Sequence, residues 1–276
     1  MRKTCTSVSL MFMVGCLFLA PVANAEFWNF QKPADWYGQL NQNLVPDWGD
    51  VACAPTAAVN SFDYLQFHYP GHYGTLLVPD SDGDGNVHND PDDLINVVQT
   101  LGQPAYMDTI ANNGTYWWDF VWGKYDYLEL VAPGRTVYEA QDAFDWAGSG
   151  EVRPVWDVPT NPTPEFIYGQ LSDCEDVELF LMTESGGHAV TLSSWQWDTV
   201  AQSGLMDYID PWTGAMGVSS IWMDAGRLET DYFGGTSSWI QGAVSESVPE
   251  PITLVMLGCV GAGMLAARKL RGKRAA

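Results

Sequence analysis

The sequence predicts an α+β protein, with helices in its first half and an antiparallel sheet in its second. Three observations carry this. Apolar residues recur at helical spacing after position 54, as Ala58, Phe62 and Leu65 do. From 177 to 219 the spacing gives way to short runs of Val, Leu, Ile and aromatics, broken by Gly, Pro and Asp, the mark of strands. The two kinds of segment do not alternate regularly, which argues against a doubly wound parallel sheet.

Taken in order, Arg2 and Lys3 precede an apolar run from Val8 to Ala20 and a small-residue site at Ala23-Asn24-Ala25. This is the pattern of a secretory signal peptide spanning 1–25, cleaved after Ala25. Residues 27–49, rich in Trp, Pro and Asn, read as an irregular lead-in. A helix follows over 54–67, with Pro55 in the first turn, where a missing N–H costs nothing. Residues 79–93 are a charged loop. Further helices are expected over 93–101, 116–130 and 138–146, with a short helix or turn at 164–171. Strands are expected over 177–183, 188–195, 204–209 and 215–219. No internal repeat divides the body, so 26–241 reads as one domain and 242–248 as a linker.

Residues 252–267 carry no charge and would rise about 24 Å as a helix, near the roughly 30 Å of a bilayer core. The Arg and Lys residues from Arg268 to Arg274 would stay on the cytoplasmic side. The body between 26 and 247 holds five basic residues against 33 acidic ones, a net charge of −28. Such a surface repels nucleic acid and anionic lipid and suits a soluble, exported protein. Its only cysteines are Cys53 and Cys174. In an oxidising compartment a bridge between them competes with any chemical role for Cys53.

Three short stretches carry the chemistry. Cys53 opens the 54–67 helix, where free N–H groups favour a thiolate and an oxyanion. His188, in Gly186-Gly187-His188-Ala189-Val190, sits on a strand and would serve as base. Asp210, ahead of Pro211 at a strand end, would orient the imidazole, with Asp198 as the fallback. A fourth stretch, Asp80-Ser81-Asp82-Gly83-Asp84-Gly85-Asn86, spaces hard oxygen ligands as a calcium loop does, naming Asp80, Asp82, Asp84 and Asn86 as ligands of a structural Ca²⁺. Its twelfth position is Pro91, so Asp92 or Asp93 would have to complete the set.

Two resemblances follow. Pro249-Glu250-Pro251, the apolar stretch and the terminal Arg cluster resemble the PEP-CTERM sorting signal of Gram-negative bacteria over 249–276. This implies an inner-membrane intermediate, recognition by an exosortase-type transpeptidase, and release to the cell surface or matrix, often alongside exopolysaccharide. Cys53-Ala54-Pro55-Thr56, Gly187-His188-Ala189-Val190 and Asp210-Pro211 resemble the papain-like cysteine peptidases, closest to their C39-like bacterial branch. The 135 residues from Cys53 to His188 match the roughly 130–150 of papain-type enzymes. The resemblance implies a papain-like α+β fold and peptide-bond cleavage by a Cys-His-Asp triad. Ala54 replaces the family's usual Gly. Asp47 stands where the family places its oxyanion Gln, with Gln42 and Asn43 further upstream. The alternative is an inactive peptidase-fold surface or biofilm matrix protein that binds polysaccharide or protein. Trp117-Trp118 and the Trp195/Trp197 pair are its candidate glycan contacts.

Overall fold

The computed structural model describes residues 26–249. The signal peptide expected at 1–25 and the membrane helix expected over 252–267 lie outside the described residues. Among the described residues no helix is long and apolar enough to cross a membrane.

The elements run β1 (Phe27–Gln31), α1 (Cys53–His68), α2 (Pro70–Tyr73), α3 (Pro91–Leu101), α4 (Thr109–Asn112) and α5 (Trp117–Val131). Then come β2 (Val137–Asp142), β3 (Asp157–Pro159), α6 (Pro164–Ser172), β4 (Glu178–Thr183) and β5 (Gly186–Asp198). The chain finishes with β6 (Ser203–Asp210), β7 (Ala215–Asp224), β8 (Arg227–Thr230) and β9 (Ser238–Ser247). These strands form one nine-stranded sheet. Strands β4 to β9 close into a ring, each pairing antiparallel with the next and β9 returning to β4. β1 extends the far half of β5, and β2 then β3 continue outward from β9.

This overturns the papain-like expectation of helices first and sheet last. The fold is mixed α/β and dominated by the sheet, into which both ends of the body feed. Three stretches were decisive. Residues 27–31, expected to be irregular, alternate exposed and half-buried positions as β1. Residues 138–146, expected to be helical, begin with the strand β2, which buries Tyr138, Ala140 and Asp142 at every second position. Residues 242–248, expected to be a linker, supply through Ser247 the second half of β9, paired from Gly242↔Asp142 to Ser247↔Val137.

Alternation along the strands puts two apolar cores on opposite faces. One joins Ala189, Phe180 and Val244 to Phe62 of α1 and to Trp117 and Phe120 of α5. The other fills the ring with Leu181, Val190, Trp195, Met206, Ile221 and Ile240. Burying each such side chain stabilises by about 1.5–3 kcal/mol. Every residue of α1 from Ala54 to Gln66 is buried, so this helix is held on all sides. It ends at His68, because the residue before Pro70 is pushed out of the helical region. Lys124 of α5 pins the helix layer to the sheet. Its ammonium bonds Glu178 of β4 at 2.6 Å, contacts Glu246 of β9, and lies 3.7 Å from Asp176.

Candidate active site

The N-terminus of α1 meets the ends of β5 and β6. Cys53 is the first residue of α1. Thr191, three residues along β5 from His188, donates its hydroxyl to the Ala57 carbonyl at 2.8 Å. That bond locks the first turn of the helix against the strand that carries the imidazole. Asp210 is the last residue of β6, which pairs with β5 from Thr191↔Ile209 onward. Register thus brings Asp210 beside His188, although 22 residues separate them.

The three side chains form a continuous line. His188 Nε2 lies 2.9 Å from Asp210 Oδ1, with the two side chains only 10% and 16% exposed. The Cys53 side chain hydrogen-bonds the same ring. Burial opposes ionisation of the Cys53 thiol, but the hydrogen bond and charge of His188 and the N–H groups of Ala189 and Ala54 outweigh it, so its pKa is lowered. Burial likewise disfavours an imidazolium at His188, yet Asp210 and Cys53 together push its pKa up to about 9. Burial raises the Asp210 pKa less than His188, the Trp212 N–H and the Tyr232 hydroxyl lower it, so this carboxyl stays ionised. The shifts of all three groups run in the direction of a thiolate–imidazolium pair braced by a carboxylate.

Donors for an anion stand next to the sulfur. In the first turn of α1 the Ala52 N–H bonds the Gly49 carbonyl and the Thr56 N–H bonds the Ala52 carbonyl, while Pro55 has none. The N–H groups of Cys53 and Ala54 remain, and that of Ala54 already faces the sulfur. Gln42 lines the same cleft as Cys53 and His188. Its Nε2 donates to the Gly49 carbonyl at 2.8 Å, and its second amide hydrogen has no partner among the described residues. Gly49 is required for this approach, since a Cβ there would meet the Gln42 carbonyl at 2.4 Å.

Gln42 reaches the cleft because its segment docks on the turn after Asp210. The Gln42 N–H bonds the Pro211 carbonyl at 2.7 Å and the Asn43 amide bonds the Trp212 carbonyl at 3.0 Å. Asp47, expected at the oxyanion position, is instead exposed on a turn with φ 72°. The residue count misplaced it because two tight turns lie between Gln42 and Cys53.

Tyr232 is a site residue the sequence reading missed. Its ring stacks on His188 with centroids 5.4 Å apart, and its hydroxyl donates to Asp210 Oδ2 at 3.0 Å. Burial, then the Asp210 charge, raises its pKa, so it remains a donor. Its only sequence signal was an aromatic pair beside two glycines, Tyr232-Phe233-Gly234-Gly235. The cleft, about 710 Å³, is otherwise lined by aromatic and apolar groups such as Trp117, Trp118, Phe144, Phe180 and Met182.

The remaining expected residues sort plainly. Asp198 lies at the opposite end of β5 and caps a turn through the Val200 and Ala201 N–H groups, so it does not orient His188. Cys53 and Cys174 are both free thiols. The Cys174 carbonyl accepts from Tyr64, which stands 11 residues along α1 from Cys53, about 16 Å, far beyond disulfide reach. Of the candidate glycan contacts, Trp195 and Trp197 are buried inside the ring, while Trp117 and Trp118 line the cleft. Of the expected calcium ligands, Asp80 and Asp82 converge, joined by Asp93. Asp84 is not part of that trio and accepts from the Asn86 N–H, while the Asn86 amide donates to Asp90.

No family model and no curated protein matches this chain.

Proposed function

We propose that this chain is a cysteine-dependent hydrolase that cleaves peptide bonds. The observation that carries the reading is the unbroken line Cys53–His188–Asp210 in an aromatic cleft, with backbone N–H groups beside the sulfur and Gln42 lining the same cleft. The Cys53 thiolate attacks the scissile carbonyl carbon, and the oxyanion is held by the Cys53 N–H and the Gln42 amide. The His188 imidazolium gives its proton to the leaving amine, forming a thioester with Cys53. Neutral His188 then takes a proton from water, the resulting hydroxide displaces the thiolate, and the acid product leaves. Asp210 fixes the ring orientation throughout. The aromatic lining suits an apolar side chain of the substrate.

Export accompanies this reading. The signal-peptide pattern at 1–25 and the resemblance of 249–276 to a sorting tail support export of the body beyond the inner membrane of a Gram-negative cell, with an exosortase-type enzyme as the sorting partner. The test is a peptidyl electrophile followed by mass spectrometry. An adduct on Cys53 that His188→Ala suppresses supports the hydrolase. Absence of an adduct, or equal labelling of Cys174, favours the non-catalytic surface or matrix protein.

A further inference from the structure

Two carboxylate trios occur among the described residues, and the chain treats them differently. Asp176, Glu178 and Glu246 are buried and share one internal cation, the ammonium of Lys124. Asp80, Asp82 and Asp93 also bring one oxygen each within 4.8 Å of one another, yet none of them forms an ion pair among the described residues.

Asp93 makes this second trio more than an acidic surface. It is 1% exposed. Its Oδ1 accepts from both the N–H and the hydroxyl of Ser81 at 2.6 Å. Its Oδ2 is buried and has no hydrogen-bond partner among the described residues. A buried carboxylate oxygen without a partner forfeits its hydration unless something positive meets it. The start of α3 explains why Asp93, and not Asp92, fills this place. Asp90 caps the helix by accepting from the Asp92 and Asp93 N–H groups, and Pro91 takes the first helical position. Asp92 is then exposed while Asp93 faces inward to Ser81.

We propose that Asp80, Asp82 and Asp93 form a binding site for a hard divalent cation of the Ca²⁺ class. Three carboxylates with no imidazole or thiolate select such an ion over a transition metal. Water and loop carbonyls complete the larger, irregular shell that Ca²⁺ accepts and Mg²⁺ does not. The site braces the catalytic helix from the side. The Asn89 N–H bonds Asp63 of α1 at 3.0 Å, His88 Nδ1 lies 2.8 Å from the same carboxylate, and Gln66 of α1 bonds the Val87 carbonyl at 3.3 Å. Asn89 also accepts from the Gln39 N–H at 2.9 Å, three residues ahead of Gln42.

The experiment uses chelator-stripped protein titrated with CaCl₂, followed by calorimetric melting and isothermal titration. We expect saturable binding and a rise in Tm of about 3 °C or more at millimolar Ca²⁺, with a smaller response to MgCl₂. Asp82→Asn, at an exposed position, should fold normally and lose the response. Asp93→Asn should weaken it while retaining the Ser81 contacts. A wild-type protein indifferent to Ca²⁺, a response undiminished in both variants, or an equal response to Mg²⁺ overturns the assignment. Neither readout depends on hydrolase activity.

Discussion

Replacing Asp210 with Asn isolates the force that holds a proton on His188. Burial alone would discharge this imidazole, yet its pKa is pushed from 6.5 up to about 9. A rise from 6.5 to about 9 corresponds to roughly 3 kcal/mol in favour of the imidazolium. Two partners supply it, and the Asp210 hydrogen bond is the largest favourable contribution, ahead of that from Cys53. Asp210→Asn keeps the size of the side chain and its reach to the Trp212 N–H, but removes the negative charge 2.9 Å from Nε2. The His188 pKa should then fall by more than about one unit, since burial persists while the main counterweight is gone. The assay is a side-chain NMR titration of the four histidines, with His188 assigned from the His188→Gln spectrum. A His188 that still titrates near 9 in Asp210→Asn would refute the reasoning, because the carboxylate would then contribute nothing to the ion pair.

Gln42→Ala should lower kcat/KM by about 100-fold or more, mostly in kcat, beyond the loss of Tm that follows from the lost bond to the Gly49 carbonyl, if its second amide hydrogen meets the oxyanion. Peptide hydrolysis kinetics read this directly, and a purely structural Gln42 would move Tm and leave kcat alone. Lys124→Met should destabilise the fold by at least about 3 kcal/mol in urea, because Asp176, Glu178 and Glu246 lose the ammonium that pairs with all three. Stability should also rise on acidification from pH 8 to pH 5.5. Burial lifts the Glu175 pKa from 4.5 to about 7, against hydrogen bonds from Ser247 and Ser245. A carboxyl whose folded pKa is raised contributes stability that is complete below its unfolded pKa and is lost as pH climbs through the folded one. Calorimetry should therefore show a Tm a few degrees higher at the lower pH, and Glu175→Gln should flatten the slope.

The meeting of Cys53, His188 and Asp210 was legible because each carries a local signature: a Cys at a helix start, a His on a strand after two glycines, and an Asp that a Pro holds at a strand end. The architecture was less legible for a physical reason. The strands that complete the sheet, β1 and the second half of β9, carry Asn, Gln, Ser and Glu at many positions, so composition hides a pairing that neighbouring strands dictate. β2 was misread because Tyr138, Ala140 and Asp142 show their two-residue period only once burial is known. Gln42 lay beyond simple counting, since its place depends on contacts with Pro211 and Trp212, far along the chain. Gly214 shows the same dependence. It sits at φ +66°, and a Cβ there would meet the Gln39 carbonyl at 2.6 Å, so the turn after Asp210 is shaped to receive the lead-in segment. Tyr232 left only an aromatic pair beside two glycines, because it acts through a ring stack and one hydroxyl.

The most direct test of the central claim is the pH dependence of Cys53 alkylation in a Cys174→Ala background, with and without His188→Ala. A thiolate held by an imidazolium predicts rapid modification well below pH 9, slowed at least about tenfold at pH 6 when the imidazole is removed. A Cys53 that titrates at its ordinary value of 9.0 in both proteins contradicts the account.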